Sequence, residues 1–595
     1  MSNRTKGLLI LAVIFFIGGL SAAQLSTTSP SALTGAVTSA GKPVEGVAVS
    51  ARADGKTFTT SVFTDSNGVY AFPGLEDGRH AIWAQAVGFE AMKAEQVVSG
   101  GKKAQQNFAL KTLQDFSKQL SGDEFVASLP GDSPQDLRMK AIFTNNCTGC
   151  HQASFLLQNR FDARGWAAIV NFMARTDPFA SVRDPEGPGS PMIQAYKEEL
   201  VGYLTQVRGP NSAPLKIKLV PRPTGDAARV VITEFDVPPG QQPDYIQKHN
   251  GSIWSDGTPS SHAAHAPHDA VVDRQGIVWF TDQINPERTL GRLDPKTGKT
   301  TGYKLAGSEG ISCHSHGLVL DASGNIFLNC QDNGTFAKFD PRTEQFTKFP
   351  RPDTLPDVGG TLVVDSKGFI WAQTNEGAIK LDAKTGNYTG YKQPTPGGTY
   401  GITVDKEDKV WFTQPGLNQV VVVDTAGKMS EVRMPPLPGD LSNDKDRQLA
   451  STLRSGANSG TPSIKVPRRL AADPNGDYVW VAEYSVDLLA RIDIHTKEVK
   501  EYPMPHRYSQ PYSVVVDKDH MVWIALMNTD RIAKFNPFTE QFTEYTLPTR
   551  GTEARFIAVD NSTDPPSVWL PYFRTNKLAR IQPLSTTNKI AKTER

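Results

Sequence analysis

The chain has 595 residues and a formal net charge of +1, with 63 lysine and arginine residues against 62 aspartate and glutamate residues. Because this balance leaves no basic excess to neutralise phosphates, we expect no nucleic-acid partner. The 50 glycines and 42 prolines favour turn-rich β structure, and the length predicts about three domains.

The N-terminus has the pattern of an export signal. Arg4 and Lys6 form a short basic region, residues 8–20 are apolar, and residues 21–23 are small, as a cleavage site requires. We predict a signal peptide over residues 1–23 and a periplasmic or secreted mature protein. The alternative is an uncleaved anchor, although the apolar run is short for a membrane span of about 20 residues. No second long apolar run follows, so we expect no transmembrane domain after signal removal.

Residues 31–113 are typical of short strands separated by turns. Residues 44–49 are predicted to form a strand whose side chains alternate between inward and outward directions. Residues 64–68 have strong turn chemistry, so we predict a small antiparallel β-sandwich. The run T-D-x-x-G-x-Y-x-F with the downstream G-F at residues 88–89 resembles the carboxypeptidase regulatory-like domain. The resemblance implies a carbohydrate-binding-like fold and a spacer or adhesion role.

The segment Cys147-Thr148-Gly149-Cys150-His151 is the attachment signature of a c-type haem. Two thiols can add to the vinyl groups of one porphyrin, and the adjacent imidazole can bind the iron as the proximal ligand. A redox dithiol or half of a zinc site is the alternative, but zinc needs a second Cys/His pair nearby and none follows. We predict one covalent haem c and a role in electron transfer.

Residues 115–209, which carry this motif, have a helical pattern. Helices are predicted around residues 137–143, 166–173 and 193–207. The stretch resembles a small class I cytochrome c domain, which implies a methionine as the second axial ligand. Met173, 22 residues after His151, is the predicted ligand, and Met192, after a Gly-Ser-Pro loop, is the alternative.

Residues 215–585 repeat with a period of about 40 residues, as propellers and solenoids do. Each repeat has an apolar strand ending in aspartate, a turn, a strand that usually carries tryptophan, and two further strands. The marker aspartates are Asp273, Asp321, Asp365, Asp405, Asp473, Asp517 and Asp560. The last repeat lacks its fourth strand, which residues 229–235 would supply by closing the ring. We predict a seven-bladed β-propeller, and hence a mainly β, multidomain chain with an α-helical haem domain between two β domains.

The sequence motif of the blades, such as V-D-x-x-G-x-V-W-F-T at residues 272–281, resembles that of the virginiamycin B lyase (streptogramin lyase) family. For activity, the resemblance implies a histidine base and a magnesium ion on the propeller face. Other residues occupy the corresponding strand starts here: Arg468, Arg469, Tyr512 and Arg555. No histidine stands beside the acidic candidates Glu483 and Glu553, so lyase activity is the less favoured interpretation.

One residue per blade lies five positions before each marker aspartate, at the start of an innermost strand. These residues are His268, His316, Gly360, Tyr400, Arg468, Tyr512 and Arg555. Strand starts line the mouth of a propeller channel, and a scaffold does not require two histidines, two tyrosines and two arginines there. We predict a ligand site, and the arginines favour an anionic or oxygen-rich small molecule. The alternative is a solvated polar channel mouth.

Five of the 11 histidines cluster at one edge of this mouth: His262, His265, His268, His314 and His316. Imidazole is the commonest metal ligand, so an additional metal ion is a hypothesis for this cluster. The alternative is a set of unrelated surface histidines.

Cys313 and Cys330 are the two cysteines outside the haem motif. They flank one predicted hairpin whose turn centres near residues 322–323, and cross-strand positions there come close enough for a disulfide. Export permits such a bond, so we predict one.

Together these features predict an exported monohaem cytochrome–propeller protein that works with a redox partner protein. It would oxidise or sense a small ligand at the channel mouth, which leaves open whether it is a haem-dependent oxidoreductase. The alternatives are a lyase of the streptogramin lyase type and a non-catalytic binding or scaffold protein.

Overall fold

The computed structural model describes residues 33–99, 102–176, 189–238, 250–259, 266–285, 287–307, 313–437, 439–452 and 460–585. The predicted signal peptide at residues 1–23 lies outside these residues. Among the helices that the structure describes, none has both the length and the hydropathy needed to cross a membrane.

The N-terminal region folds into two small β-sheets around a shared core. Its strands are β1 (Leu33–Ser39), β2 (Lys42–Pro43), β3 (Ala48–Ala53), β4 (Phe58–Phe63), β5 (Val69–Ala71), β6 (Gly78–Gln85), β7 (Met92–Val98), β8 (Ala104–Gln105) and β9 (Phe108–Ala109). One sheet forms around β1, and the other has the order β4-β3-β6-β7. Side chains of both sheets, including Tyr70 and Ile82, share one buried cluster, as in a β-sandwich. The alternation predicted for residues 44–49 is not observed, because five of these six residues are buried and only the last two belong to β3.

Five α-helices follow. They are α1 (Gly122–Ser128), α2 (Pro134–Cys147), α3 (Ala153–Leu157), α4 (Ala163–Arg175) and α5 (Pro191–Arg208). Ser133 caps α2 through a capping box with Asp136, which explains why the helix begins there. Trp166 and Tyr196 are fully buried where α4 packs on α5. The predicted helices are present, whereas the assignment to cytochrome c stays a prediction.

The C-terminal region consists of seven four-stranded antiparallel blades, six of which are separate sheets while the seventh is part of a larger sheet. The first three blades are β11–β14 (Pro267–Val272, Val278–Asp282, Leu290–Asp294, Lys299–Tyr303), β15–β18 (Leu318–Leu320, Ile326–Cys330, Thr335–Asp340, Gln345–Phe349) and β19–β22 (Leu362–Val364, Ile370–Thr374, Gly377–Asp382, Asn387–Lys392). The next three are β23–β26 (Ile402–Val404, Val410–Gln414, Gln419–Val423, Met429–Arg433), β27–β30 (Pro467–Ala472, Tyr478–Glu483, Leu488–Asp493, Val499–Pro503) and β31–β34 (Pro511–Val516, Val522–Leu526, Arg531–Asn536, Gln541–Thr546). Between the fourth and fifth blades lies α6 (Asp444–Thr452).

The seventh blade joins the two ends of the propeller. Its strands are β35 (Ala558–Asp560), β36 (Ser567–Tyr572), β37 (Lys577–Pro583) and β10 (Val230–Asp236). The innermost strands contact one another around a closed ring, and β35 meets β11. The earlier segment therefore supplies the fourth strand, as predicted.

The edge of this last blade is covered by the N-terminal domain. Ile232 of β10 pairs with Ile581 of β37 on one side and with Ser61 of β4 on the other. One sheet of eight strands thus runs from the propeller into the N-terminal domain. This pairing removes an exposed strand edge, which would otherwise be open to association.

The marker aspartates have a structural role in the blades. In four blades the indole N–H donates to the marker carboxylate: Trp279 to Asp273 at 2.8 Å, Trp371 to Asp365 at 2.9 Å, Trp411 to Asp405 at 2.8 Å and Trp523 to Asp517 at 2.8 Å. A buried indole N–H needs an acceptor, which explains why the two residue types recur together.

Candidate functional site: the channel mouth beneath the C-x-x-C-H loop

The helical domain lies against the channel mouth of the propeller, and the C-x-x-C-H loop is at the contact. The carbonyl oxygen of Gly149 accepts a hydrogen bond from Nη2 of Arg555 at 3.1 Å. Thr148 Oγ1 donates to Oε1 of Gln510 at 2.6 Å, and the Thr148 carbonyl accepts from the hydroxyl of Tyr484 at 3.5 Å. The predicted haem motif and the predicted ligand ring are therefore neighbours.

The residues of the motif fit a covalently held haem. His151 Nδ1 lies 3.2 Å from the carbonyl oxygen of Gln152, and because a carbonyl only accepts, the ring proton belongs on Nδ1. The lone pair is then on Nε2, the nitrogen that can bind iron. Burial, together with the nearby Cys150, raises the pKa of the Cys147 thiol to about 12. A buried thiol that stays protonated is a poor redox nucleophile, which disfavours the redox dithiol.

The two candidate distal ligands differ in burial. Met192 at the start of α5 is 7 % exposed and belongs to the same hydrophobic cluster as Cys147. Met173 lies on α4, is half-buried and is outside that cluster. Burial in the same hydrophobic cluster as Cys147 therefore favours Met192, whereas the sequence favoured Met173.

The six side chains predicted to line the channel mouth are close together. The rings of His268 and His316 have centroids 3.9 Å apart, and His316 is 6.1 Å from Tyr400. The Tyr400 and Tyr512 hydroxyls share a hydrogen bond. The seventh position, Gly360, contributes its carbonyl oxygen, 2.9 Å from His316 Nδ1.

The arginines occupy the middle of this group. The Arg468 guanidinium lies 4.6 Å from the ring of Tyr400, 4.1 Å from that of Tyr512 and 4.6 Å from that of Tyr484. Arg555 lies 3.7 Å from the ring of Phe573. These are cation–π distances, and burial strengthens such contacts.

Two carboxylates balance part of this charge. Asp269 accepts from Arg469 at 3.0 and 3.1 Å. Glu553 accepts from Arg555 and, at 2.9 Å, from Arg574. The site therefore contains four guanidiniums and only two carboxylates. The guanidiniums are those of Arg468, Arg469, Arg555 and Arg574. The excess of positive charge in a buried site favours an anionic ligand.

Burial and the arginines keep the two histidines neutral. Burial lowers the pKa of His268 well below its usual value, and the nearby Arg469, Arg555 and Arg468 lower it further. Burial also lowers the pKa of His316, with His268 and Arg469 adding to the effect. Both rings are therefore available as hydrogen-bond acceptors at neutral pH.

The Tyr400 hydroxyl is more acidic than that of its neighbour. Burial raises its pKa, but Arg468 and Arg469 outweigh burial and lower it below the usual value. The pKa of Tyr512 is raised, chiefly by burial. The two hydroxyls of the hydrogen-bonded pair therefore differ in acidity, and the difference is due to the arginines beside Tyr400.

The predicted histidine cluster is divided. His262 and His265 lie outside the described residues. His314 is partly exposed and contacts Asp332 at 2.8 Å, away from the buried pair. His268, His316 and Asp269 do bring ligand atoms within 4.8 Å of one another, but the adjacent guanidiniums oppose a divalent cation there.

The acidic residues considered for lyase chemistry are already engaged. Glu553 pairs with Arg555 and Arg574, and Glu483 lies 3.7 Å from the buried Lys465. Burial raises the pKa of Glu483 to about 8. In the described part of the chain, neither carboxylate pairs with a histidine.

Cys313 and Cys330 are joined by a disulfide, with their Cα atoms 5.6 Å apart. Cys330 ends the second strand of the second blade, directly after Asn329, whose side chain accepts from the backbone of His316 at 3.0 Å. The bond therefore closes the hairpin that carries one of the ring histidines.

Sequence reasoning missed several residues of the site. Tyr484, Gln510 and Phe573 do not share the register five positions before a marker aspartate. Tyr484 follows the end of the second strand of its blade and Phe573 follows that of the seventh. The ends of the second strands lie at the same face of the propeller as the starts of the innermost strands. Comparing the residue that follows each second strand would therefore have identified Tyr484 and Phe573 from the sequence.

Comparison with known proteins agrees with the two β regions. Residues 461–592 match the virginiamycin B lyase family, and residues 32–111 match the carboxypeptidase regulatory-like domain. No curated protein sequence matches the chain.

Among solved structures, a streptogramin B lyase is similar at 19 % identity, covering 60 % of this chain and 99 % of its own, with a TM-score of 0.46. The virginiamycin B lyase of Staphylococcus aureus is similar at 16 % identity, covering 60 % and 100 %, with a TM-score of 0.45. The hydrazine synthase of Kuenenia stuttgartiensis is similar at 11 % identity, covering 53 % and 95 %, with a TM-score of 0.41. This chain therefore has a C-terminal region similar to the virginiamycin B lyase family and an N-terminal region similar to the carboxypeptidase regulatory-like domain.

Proposed function

We propose that this chain is an exported, monohaem c-type electron-transfer protein that oxidises or senses a small anionic ligand at the channel mouth. The observation that carries the proposal is the hydrogen bond between Arg555 of the ring and Gly149 of the C-x-x-C-H loop, at 3.1 Å. It supports a ligand site and a redox site in direct contact. A redox partner protein would then remove the electrons.

The haem would be held by thioether bonds to Cys147 and Cys150, with Nε2 of His151 as the proximal ligand. When bound, a c-type haem supplies a one-electron acceptor. A methionine sulfur would be a further ligand of the iron: the sequence favours Met173, and burial favours Met192.

The ring residues would bind the ligand and take up its proton. Arg468 and Arg555 would hold an anionic group of the ligand. Asp269 holds Nδ1 of His268 at 2.7 Å, so that ring has its lone pair on Nε2. His268 Nε2 is buried and has no hydrogen-bond partner among the described residues. It is therefore placed to accept the proton of a ligand hydroxyl. Oxidation of such an alcohol releases two protons and two electrons: the carbon-bound hydrogen would leave as a proton to solvent, and the electrons would pass one at a time through the haem, each being removed by the redox partner protein.

Haem attachment is the first test. The full chain is produced in a host that matures c-type haem and is run on a denaturing gel with haem stain. We expect a stained wild-type band and no stained band for Cys150→Ala. An unstained wild-type band would contradict the proposal.

The ligand site is tested with the double variant Arg468→Ala/Arg555→Ala. Lactate, malate and gluconate are added to the ferric protein, and the visible spectrum is followed. We expect reduction in the wild type and its loss in the double variant, with the spectrum of the oxidised haem unchanged. Arg342→Ala, which removes an exposed arginine, is the control and should behave as the wild type.

The same assay separates the alternatives. A non-catalytic binding or scaffold protein binds the ligand without reduction of the haem. A lyase converts its substrate with the haem oxidised throughout. Reduction that is unchanged in the double variant would place the site elsewhere on the propeller, most simply at the His262/His265 loop.

A further inference from the structure

A second cavity lies on the face of the propeller opposite the helical domain. Its volume is about 530 Å³, within the usual range for small-molecule sites. The first blade contributes Trp279, Arg292 and Tyr303, and the seventh contributes Asp560, Trp569 and Arg580. Neither the haem motif nor the channel ring takes part.

The seventh blade lacks the hydrogen bond between tryptophan and the marker aspartate that is present in four other blades. In those blades the tryptophan stands six positions after the marker aspartate and donates to it, as Trp523 does to Asp517. In the seventh blade Trp569 follows Asp560 by nine positions. Asp560 instead accepts from the backbone N–H of Ser562 at 2.9 Å and from its hydroxyl at 2.5 Å. The extra residues thus separate the indole from its usual acceptor.

Two hydrogen-bond donors in this cavity lack an acceptor among the described residues. Nε1 of Trp569 and Nε of Arg580 are both buried and have no hydrogen-bond partner in the described part of the chain. Trp569 is 1 % exposed, and the Arg580 guanidinium lies 5.7 Å from its ring. Buried donors without acceptors are unfavourable and rare in folded proteins. A bound molecule that supplies oxygen acceptors would satisfy both.

Arg292 provides a further donor in the same cavity. Its guanidinium lies 6.0 Å from the ring of Trp279. Neither Arg292 nor Arg580 forms an ion pair with a residue that the structure describes. The cavity therefore contains two guanidiniums that form no ion pair with a carboxylate in the described part of the chain.

The surrounding charge decides the class of ligand. Three basic side chains line the cavity, Arg292, Lys296 and Arg580, against four acidic ones, Asp273, Asp294, Glu344 and Asp560. The local excess of one negative charge disfavours a phosphate or another strong anion. Hydroxyl groups can accept from the orphaned N–H groups and donate to the carboxylates. A neutral ligand with many hydroxyls satisfies both sets of groups.

We propose that this cavity between the first and seventh blades binds a neutral polyhydroxylated ligand of the saccharide class. Hydroxyl oxygens of the ligand accept from Trp569 Nε1 and Arg580 Nε, and its hydroxyl hydrogens face the carboxylates. The site is independent of haem, so its test does not depend on the electron-transfer proposal.

The test uses the full chain and saturation-transfer difference NMR with D-glucose and maltose as probes. Sodium acetate and inorganic phosphate at equal ionic strength are the comparison ligands. We expect saturable binding of a sugar probe and weakening by about ten-fold in Trp569→Phe, the effect of one lost hydrogen bond. Arg580→Gln, which leaves the core unchanged, should weaken binding as well.

Trp523→Phe is the matched control. This tryptophan is as buried as Trp569, but its indole already donates to Asp517, so sugar binding should be unchanged. The absence of saturable binding by both sugars overturns the proposal. Saturable binding of acetate or phosphate in place of the sugars, or equal weakening in Trp523→Phe, overturns it too.

Discussion

Nη2 of Arg555 donates a hydrogen bond to the carbonyl oxygen of Gly149 across 3.1 Å, although 406 positions separate the two residues in the chain. Arg555 also pairs with Glu553 and lies over the ring of Phe573. One guanidinium therefore contacts both the channel ring and the C-x-x-C-H loop. Any ligand that draws on its charge would also change the surroundings of the loop.

This contact predicts an effect on the haem potential. Arg555→Gln removes a buried positive charge next to the loop, which favours the oxidised iron and should lower the midpoint potential on the order of 50 mV. Arg555→Lys keeps the charge and should shift the potential less. Spectroelectrochemical titration of the holoprotein measures both. Equal potentials in all three proteins would show that Arg555 does not influence the haem.

The distal ligand is a second prediction. The position of Met173 behind Trp166 favoured it in the sequence, whereas burial in the hydrophobic cluster that includes Cys147 favours Met192. A thioether–iron bond gives a weak absorption band at the red end of the spectrum, and its loss lowers the potential. We expect Met192→Ala to lose the band and Met173→Ala to keep it. The reverse result would restore the original assignment.

The disulfide between Cys313 and Cys330 is a third prediction. Thiol titration of the unfolded, unreduced holoprotein should find no thiol, and titration after reduction should find two. Replacing both cysteines by serine should lower the free energy of unfolding by about 3 kcal/mol, because the crosslink closes a loop of 17 residues. Two thiols before reduction would refute the bond.

The histidines of the ring predict a dependence of stability on pH. The pKa values of His268 and His316 are lowered in the folded state by burial and neighbouring arginines. Below a pH of about 6.5 the unfolded chain therefore binds protons that the folded chain does not, and stability falls as the pH falls. Each histidine contributes up to about 1.4 kcal/mol per pH unit in that range.

His316→Gln isolates this contribution. The variant should be less stable than the wild type at pH 7.5, because contacts of the ring are lost. The difference should narrow between pH 7 and pH 5.5, since only the wild type loses the stabilisation due to a neutral His316. Denaturant unfolding at several pH values measures the difference. A constant difference would mean that His316 has the same pKa folded and unfolded.

Most of the architecture was predictable from local sequence. The recurring aspartate and tryptophan pairs fix the blade turns through a short hydrogen bond, such as that from Trp279 to Asp273 at 2.8 Å. In four blades the pair has a constant spacing of six residues, and the marker aspartate, which recurs in all seven repeats, shows the blade count. The closing strand was predictable for the same reason, since an isolated strand with the blade pattern precedes the first blade. The convergence of His268, Tyr400 and Arg555 followed from a shared register on the innermost strands.

Other features depend on contacts between distant segments, which no local pattern records. The pairing of Ile232 with Ser61 joins a strand of the propeller to a domain far earlier in the chain. The burial that distinguishes Met192 from Met173 arises only from tertiary packing, in which Met192 lies against Gly460, far along the chain.

The sequence by itself therefore determined the order of the two β regions, the C-x-x-C-H motif and the register of the ring, because each depends on spacing along the chain. Only the tertiary structure decided which partners those groups have. Asp269 and Arg469 are 200 positions apart, yet their ion pair helps to set the charge around His268. Arg555 meets Gly149 because the helical domain packs on the channel mouth. Burial and charge at the site are sums over neighbours in space, and the fold alone brings those neighbours together.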